Sequence, residues 1–393
     1  MNLSQVNIAI IDDGVNEKLY QTGSLLYNLE IGDDLSMHQR ADYDPFLPSH
    51  GTTCAAIIKK YSPDAVIGSI KILNQHSQKA GKAQLIHALN WCVDNGIRIV
   101  SMSLGTIDYR DFTEIERAVH HACDNGVIIV AACNNCNVFT CPASLDGAIG
   151  VKCETGGVLL EGEYIYNSFS ADGIEITACA RHSLVKFDGK SKKTSACNSF
   201  AAPGITAIVH NIIKDDPGKN LNDIKKILRE KAVRPNEEVK ARTFRSDGGL
   251  EAPVIVLHNH SNHDFDKRLT QKFRSDGYNA ICIFANLNDS DFCNGYVSLE
   301  HFSERKAASL EQIILNISGI MDPDVILLSY NLPEDDQLLK TKDLEADLEI
   351  HLNESNDIQV TSTYGTSTFK RNTDNQLEQV YSYISKLFEE DED

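Results

Sequence analysis

"AIIDDGV", residues 9–15, decides how this chain is read. An apolar run ends in two carboxylates and a glycine, so a buried strand delivers acid to the lip of a sheet. Similar runs recur downstream: "AVIGSIKIL" (65–73), "IRIVSMSLG" (97–105) and "GVIIVAAC" (126–133). Segments of helical spacing lie between them. "QLIHALNWCVDNG" (84–96) sets Leu85, Leu89 and Cys92 on one side and stops at Asn95-Gly96, and "FTEIERAVHHACDNG" (112–126) stops the same way. Strands alternating with helices predict a mostly parallel α/β sheet with helices on both faces. In such sheets functional groups gather beyond the carboxyl ends of the strands, where Asp12 falls.

The chain has 393 residues, more than one ordinary core holds, so two domains are expected. The first, residues 1–233, closes with the amphipathic "LNDIKKILREKAV" (221–233). Residues 234–250 carry Pro, Gly and charge without a period and read as a linker. Residues 251–393 repeat an α/β pattern on a smaller scale. "APVIVLHN", "YNAICIFA" and "PDVILLSY" read as buried strands, "FDKRLTQKFRSDG" and "ERKAASLEQIILNISGIM" as helices; "ADLEIHL", "DIQVTST" and the helix "NQLEQVYSYISKLFEE" follow. The outline is that of a Rossmann-like or degenerate P-loop-like domain. Its loop "HNHSNHDFDKR" (258–268) has no glycine and no Gly-Lys-Ser/Thr, so it cannot cradle phosphate, and a docking or binding role is expected.

Composition narrows the function. A formal net charge of -19 argues against nucleic acid as a partner. No apolar run reaches the length of a membrane span, and the first residues lack the pattern of a signal peptide. Eleven cysteines, an odd number, read as reduced thiols, which places the protein in the cytoplasm.

Two further segments resemble the Asp12 context in carrying a reactive side chain next to small residues. "SHGTTCAAII" (49–58) sets His50 at the start of a buried helix. "SACNSFAAPGITAIV" (195–209) sets Ser199 at the start of another, with Pro203 expected in the first turn. A backbone N–H there is free to face an oxyanion. Singly, each has a plainer reading: a turn acid, a structural histidine, an N-cap serine. Cys133, Cys136 and Cys141 cluster, but a zinc site wants a fourth ligand, so reduced thiols are expected. His258, His260 and His263 follow a strand without an acidic partner at fixed spacing and read as a solvated loop.

Taken in order, "IIDDGV", "SHGTTCA", "MSLGT", "AACNNCN", "TCPASLDGAIGV", "NSFSADGIEITA" and "CNSFAAP" resemble the successive motifs of the subtilisin-like serine proteases, over about residues 5–233. The resemblance implies the subtilisin-like fold and an Asp-His-Ser triad. Ser199 would attack the scissile carbonyl, His50 would move its proton, and Asp12 would hold the imidazole. Asn134 would complete the oxyanion hole with the Ser199 N–H, and Ser103, Leu104 and Gly105 would pair with extended substrate. Cys54 matches a cysteine that some branches carry behind the histidine. Departures fall at Cys133 and Cys197, where the family has Gly, at Asn198, where it has Thr, and at Phe200, where it has Met. No cofactor is implied, and calcium as a structural ion is left open. The whole is similar to intracellular subtilases of ribosomal-peptide maturation, so the expected function is a serine endopeptidase cutting a precursor or leader peptide, with a maturation partner held by the C-terminal domain. A general intracellular protease and a catalytically weak peptide-binding scaffold are the alternatives.

Overall fold

The computed structural model describes residues 6–74, 80–168, 170–233, 250–259, 264–285, 287–299, 309–330, 346–353, 357–370 and 375–390. The chain divides into two compact units, residues 1–241 and 242–393. The expected linker, 234–250, falls outside the described residues except at its last position.

The first unit runs β1 (Asn7–Asp12), β2 (Asn28–Ile31), β3 (Met37–Gln39), α1 (His50–Tyr61), β4 (Val66–Lys71), α2 (Lys82–Asp94), β5 (Ile99–Met102), α3 (Tyr109–Asp124), β6 (Ile128–Ala132), β7 (Ala148–Cys153), β8 (Tyr164–Tyr166), β9 (Ile176–Ala178), β10 (Ser183–Val185), β11 (Ser191–Lys193), α4 (Asn198–Asp215) and α5 (Leu221–Lys231). Nine of the strands form one sheet in the order β3-β2-β4-β1-β5-β6-β7-β9-β8. Its centre is parallel: β1 lies between β4 and β5, with Asp12 level with Lys71. These central strands are buried on both faces, which is why they read as unbroken apolar runs.

Two helices carry the reactive segments into the core. α1 is buried from Gly51 through Ile58, and α4 buries Ala201, Ala202, Gly204, Ile205 and Ala207. They pack on each other, and α4 also packs on β5, β6 and β7. Small residues let the two backbones approach, while Ile57, Ile58, Ile205 and Val209 fill the space between layers. Fully burying each such side chain is worth roughly 1.5–3 kcal/mol, so both helices are firmly seated. Pro203 does not lie in the first turn as expected. α4 begins at Asn198, which places Pro203 in its interior.

The second unit runs β12 (Val254–Asn259), α6 (Asp264–Ser275), β13 (Ala280–Phe284), β14 (Tyr296–Ser298), α7 (Leu310–Met321), β15 (Val325–Tyr330), β16 (Leu348–Leu352), β17 (Ile358–Ser362), β18 (Gly365–Phe369) and α8 (Gln376–Glu390). Its seven-stranded sheet has the order β14-β13-β15-β12-β16-β17-β18. The first five are parallel; β17 and β18 add an antiparallel edge. α6 and α8 cover one face, where Leu269, Phe273, Val380 and Ile384 meet Ile255, Leu257, Leu327 and Ile350. The sequence pattern shows the parallel strands except the three-residue β14, and it does not show β18, whose "GTSTF" carries no buried alternation. Among the described residues no helix is long and apolar enough to cross a membrane.

Candidate active site

The paired acids at the end of β1 divide the work between them. Asp12 is buried, at 1% exposure, and its two carboxylate oxygens accept from His50 Nδ1 at 2.9 and 3.0 Å. With the proton on Nδ1, His50 Nε2 keeps a lone pair. The Asp13 N–H donates to Asp12 Oδ1 at 2.8 Å and steadies that carboxylate. Asp13 turns instead to the helix: it accepts from the backbone N–H groups of His50 (3.0 Å) and Gly51 (2.8 Å). With the Ser49 hydroxyl accepting from the Thr52 N–H at 3.1 Å, it satisfies the first turn of α1. Burial, then the neighbouring Asp12, push the Asp13 carboxyl up, and the two N–H bonds pull against them. The sequence reading gave Asp13 no role; it anchors the helix that carries His50. Gly51 is required here, because a Cβ would sit 2.8 Å from the Gly14 carbonyl oxygen and 3.2 Å from Asp12 Cβ.

Ser199 occupies the first turn of α4. The Asn198 N–H donates to Asn135 Oδ1 at 3.2 Å and the Phe200 N–H to the Cys197 carbonyl at 3.1 Å. Among the described residues the Ser199 N–H between them has no protein acceptor, and it points from the positive end of a helix. Pro203 shapes the other side. It has no N–H for the carbonyl four residues back, and its ring crowds that group. The freed Ser199 carbonyl accepts instead from Ser103 Oγ at 2.9 Å, with the Cys54 thiol at 3.8 Å.

Cys54 lies beneath the site, 3.8 Å from His50 Nδ1, 3.9 Å from Asp12 Oδ2 and 3.6 Å from Ser103 Oγ. Burial pushes its thiol up, so it is a neutral S–H at pH 7. Burial also works against charging His50, but the Cys54 sulfur and the Asp12 carboxylate more than offset it, and the imidazole pKa is raised. The Asp12 carboxylate favours the charged ring both by its hydrogen bond and by its charge. Phe200 stacks on the imidazole at 5.2 Å between centroids and 20° between planes. Asp12, His50 and Cys54 are close enough to group around an ion, but zinc would need a Cys54 thiolate.

Asn134 accepts from the Val138 N–H through Oδ1 at 3.2 Å, so its side-chain NH2 is the group left to donate outward. Asn198 ties this loop to α4: its Nδ2 donates to the Asn134 carbonyl at 2.5 Å and to Asn137 Oδ1 at 3.2 Å, and its Oδ1 accepts from the Cys153 N–H at 2.7 Å. The sequence shows Asn198 only as a departure; the fold makes it a clamp. Ser103, Leu104 and Gly105 leave the end of β5, but the Ser103 hydroxyl is spent on the Ser199 carbonyl. A Cβ on Gly105 would meet the Cys141 carbonyl oxygen at 2.5 Å, where Thr106 and Cys141 pair through 2.9 and 3.0 Å bonds. Arg40, buried and stacked on Tyr43, donates from Nη1 to the Val15 carbonyl and Asn16 Oδ1 at 3.2 and 3.0 Å, holding the loop after Asp13. Nothing in its local sequence signals that role. Cys133, Cys136 and Cys141 are free thiols, and among the described residues they form no metal-binding group.

The structure brings a buried acid onto the Nδ1 of His50 and sets Ser199 at a helix N-terminus, in the chain order Asp, His, Ser on a parallel α/β sheet. Residues 4–252 match the model of the Subtilase family, and the chain belongs to that family. It is 24% identical over 247 residues to the minor extracellular protease Epr of Bacillus subtilis (strain 168), covering 58% of this chain and 35% of that protein. It is 26% identical over 152 residues to the major intracellular serine protease of the same organism, covering 37% of this chain and 46% of that protein. The chain thus spans less than half the length of either relative. Among solved structures, the S41 psychrophilic protease matches at 22% identity and a TM-score of 0.48, over 58% of this chain and 82% of that one. The nisin leader peptidase NisP from Lactococcus lactis matches at 16% and 0.47, over 59% and 84%.

Proposed function

We propose that the chain is a serine endopeptidase working through Asp12, His50 and Ser199. The observation that carries this reading is the seating of His50 Nδ1 between both oxygens of a buried Asp12, in a domain of the subtilase family. Ser199 Oγ attacks the peptide carbonyl carbon as His50 Nε2 takes its proton, and Asp12 stabilises the imidazolium. The oxyanion is met by the Ser199 N–H and the Asn134 side-chain NH2; one such donor contributes about 2.7–4 kcal/mol to the transition state. His50 returns the proton to the leaving amine, and water then releases the acyl group by the same path. Extended substrate lies along Leu104 and Gly105.

The finer reading is limited cleavage of a precursor or leader peptide inside the cell. Eleven free thiols and the likeness to a relative named as intracellular support the compartment. The second α/β unit supports docking, which raises the effective concentration of a long substrate without entering the chemistry. A second reading, a peptide-binding scaffold of weak turnover, is favoured by Asn198, whose carboxamide fills the space beside the oxyanion loop. Mass spectrometry of a precursor peptide incubated with wild type and Ser199→Ala tests these. One discrete cut made only by wild type supports precursor processing. Many cuts indicate a general protease, and binding without cleavage indicates the scaffold.

A further inference from the structure

We infer that the second unit holds a divalent transition-metal ion of the zinc type, bound by His258, Glu349 and His351 between β12 and β16. The two strands are parallel neighbours in which His258 lies opposite His351 and Val256 opposite Glu349. The two-residue period puts Glu349 and His351 on one face of β16, while Leu348 and Ile350 face the core. His258 shares that face, since Ile255 and Leu257 point to the core beneath α6 and α8. The imidazoles lie face to face at 4.2 Å and 5°. Glu349 Oε2 is 3.2 Å from His351 Nε2 and 3.7 Å from His258 Nε2, and one ligand atom from each residue falls within 4.8 Å of the others.

Zinc bonds of about 2.0–2.2 Å place tetrahedral ligand atoms about 3.4 Å apart. Closing on an ion therefore takes a shift of about 1 Å and a turn of the two rings out of their parallel stack, so that the in-plane Nε2 lone pairs converge. The three side chains are 25, 50 and 44% exposed, so rotation about their own bonds suffices. Two imidazoles and one carboxylate suit zinc and its first-row neighbours rather than calcium or magnesium, which take oxygen. Three protein ligands leave a position open to water or to a ligand.

The sequence offered a different trio. His260 and His263 lie outside the described residues, and the partners of His258 come from a strand some ninety residues later, which no local spacing shows. The competing arrangement is a metal-free clip in which Glu349 accepts from both rings.

The test uses the reduced full-length chain with Ser199→Ala, titrated with Co2+ and then Zn2+. One equivalent of Co2+ should give the visible bands of a nitrogen- and oxygen-ligated ion, and Zn2+ should displace it. His258→Ala, His351→Ala and the near-isosteric Glu349→Gln should each weaken binding at least tenfold. Zn2+ should raise the Tm of the parent chain and leave that of Glu349→Gln unmoved. A sulfur-to-cobalt band unchanged by the three substitutions would assign the metal to the thiols and overturn the site, and so would no binding at millimolar Co2+. Neither result depends on peptidase activity.

Discussion

Replacing Ser103 by alanine tests how the first turn of the Ser199 helix is held. Ser103 Oγ donates at 2.9 Å to the Ser199 carbonyl, whose helical donor is missing because residue 203 is proline. Removing the hydroxyl leaves that acceptor with the Cys54 thiol at 3.8 Å, a weak donor. An unsatisfied buried carbonyl costs about 1–3 kcal/mol, and the residual thiol contact argues for the lower half of that range, about 1.5 kcal/mol. Pro203→Ala returns an N–H to position 203, and with it the bond to the carbonyl four residues back. In that background Ser103→Ala should cost only about 0.5 kcal/mol, so the coupling is about 1 kcal/mol, above the roughly 0.3–0.5 kcal/mol scatter of independent sites. The cycle is read by urea unfolding in Ser199→Ala protein, which cannot digest itself. The single tryptophan, Trp91, lies in the first unit against Tyr27 at 4.9 Å, so its fluorescence follows the unit of interest. Equal costs of Ser103→Ala in the two backgrounds would refute the reasoning.

Other outcomes follow from the same geometry. His50 must be neutral to act as base, while the Asp12 carboxylate favours its charged form; kcat/KM should therefore climb as pH rises through the His50 titration, and a flat profile from pH 5 to 8 would count against His50 as the base. Asn134→Ala should lower kcat by about 10²–10³ with KM little changed; a KM effect alone would place Asn134 in ground-state binding. Cys54→Ala should stay active, since the neutral thiol only packs behind His50, and should lose the sensitivity of wild type to mercurials; a folded but dead variant would contradict this. Burial holds His182 and His210 below the usual histidine range. Their neutral forms therefore stabilise the fold fully above about pH 6.5, and that contribution is lost as pH falls from there toward their depressed values. The Trp91 urea midpoint should drop between pH 7.5 and 5.5, and His182→Asn should shrink the drop.

The parts of the fold that the sequence shows are those decided locally. β1, β4, β5 and β6 are buried on both faces and leave apolar runs, and α2 and α3 stop at Asn-Gly pairs. β2, β3 and the hairpin β10–β11 are three or four residues long and partly exposed, so no period betrays them. At the site, Asp12, His50, Asn134 and Ser199 stand in motifs with a fixed order, and the contact between Asp12 and His50 follows from it. The supporting residues are another matter. Asp13 on the α1 N-terminus, Arg40 under the loop after it, and Asn198 across to the Asn134 loop act over distances in sequence that only the folded chain closes. Pro203 differs from its expected first-turn place by a small margin. The helix begins one residue before Ser199, which moves the proline past the first turn and turns a tolerated residue into the cause of the Ser103 contact.

The most direct test of the central claim is covalent labelling of Ser199. A fluorophosphonate probe reacts with a serine whose hydroxyl is activated by a neutral histidine beside an oxyanion hole, and not with an ordinary one. Native protein at pH 8 should take up one probe, with peptide mass spectrometry finding it on Ser199. Ser199→Ala should take up none, and His50→Ala should label far more slowly. Equal labelling of wild type and Ser199→Ala, or no labelling of a folded wild type, would contradict the account.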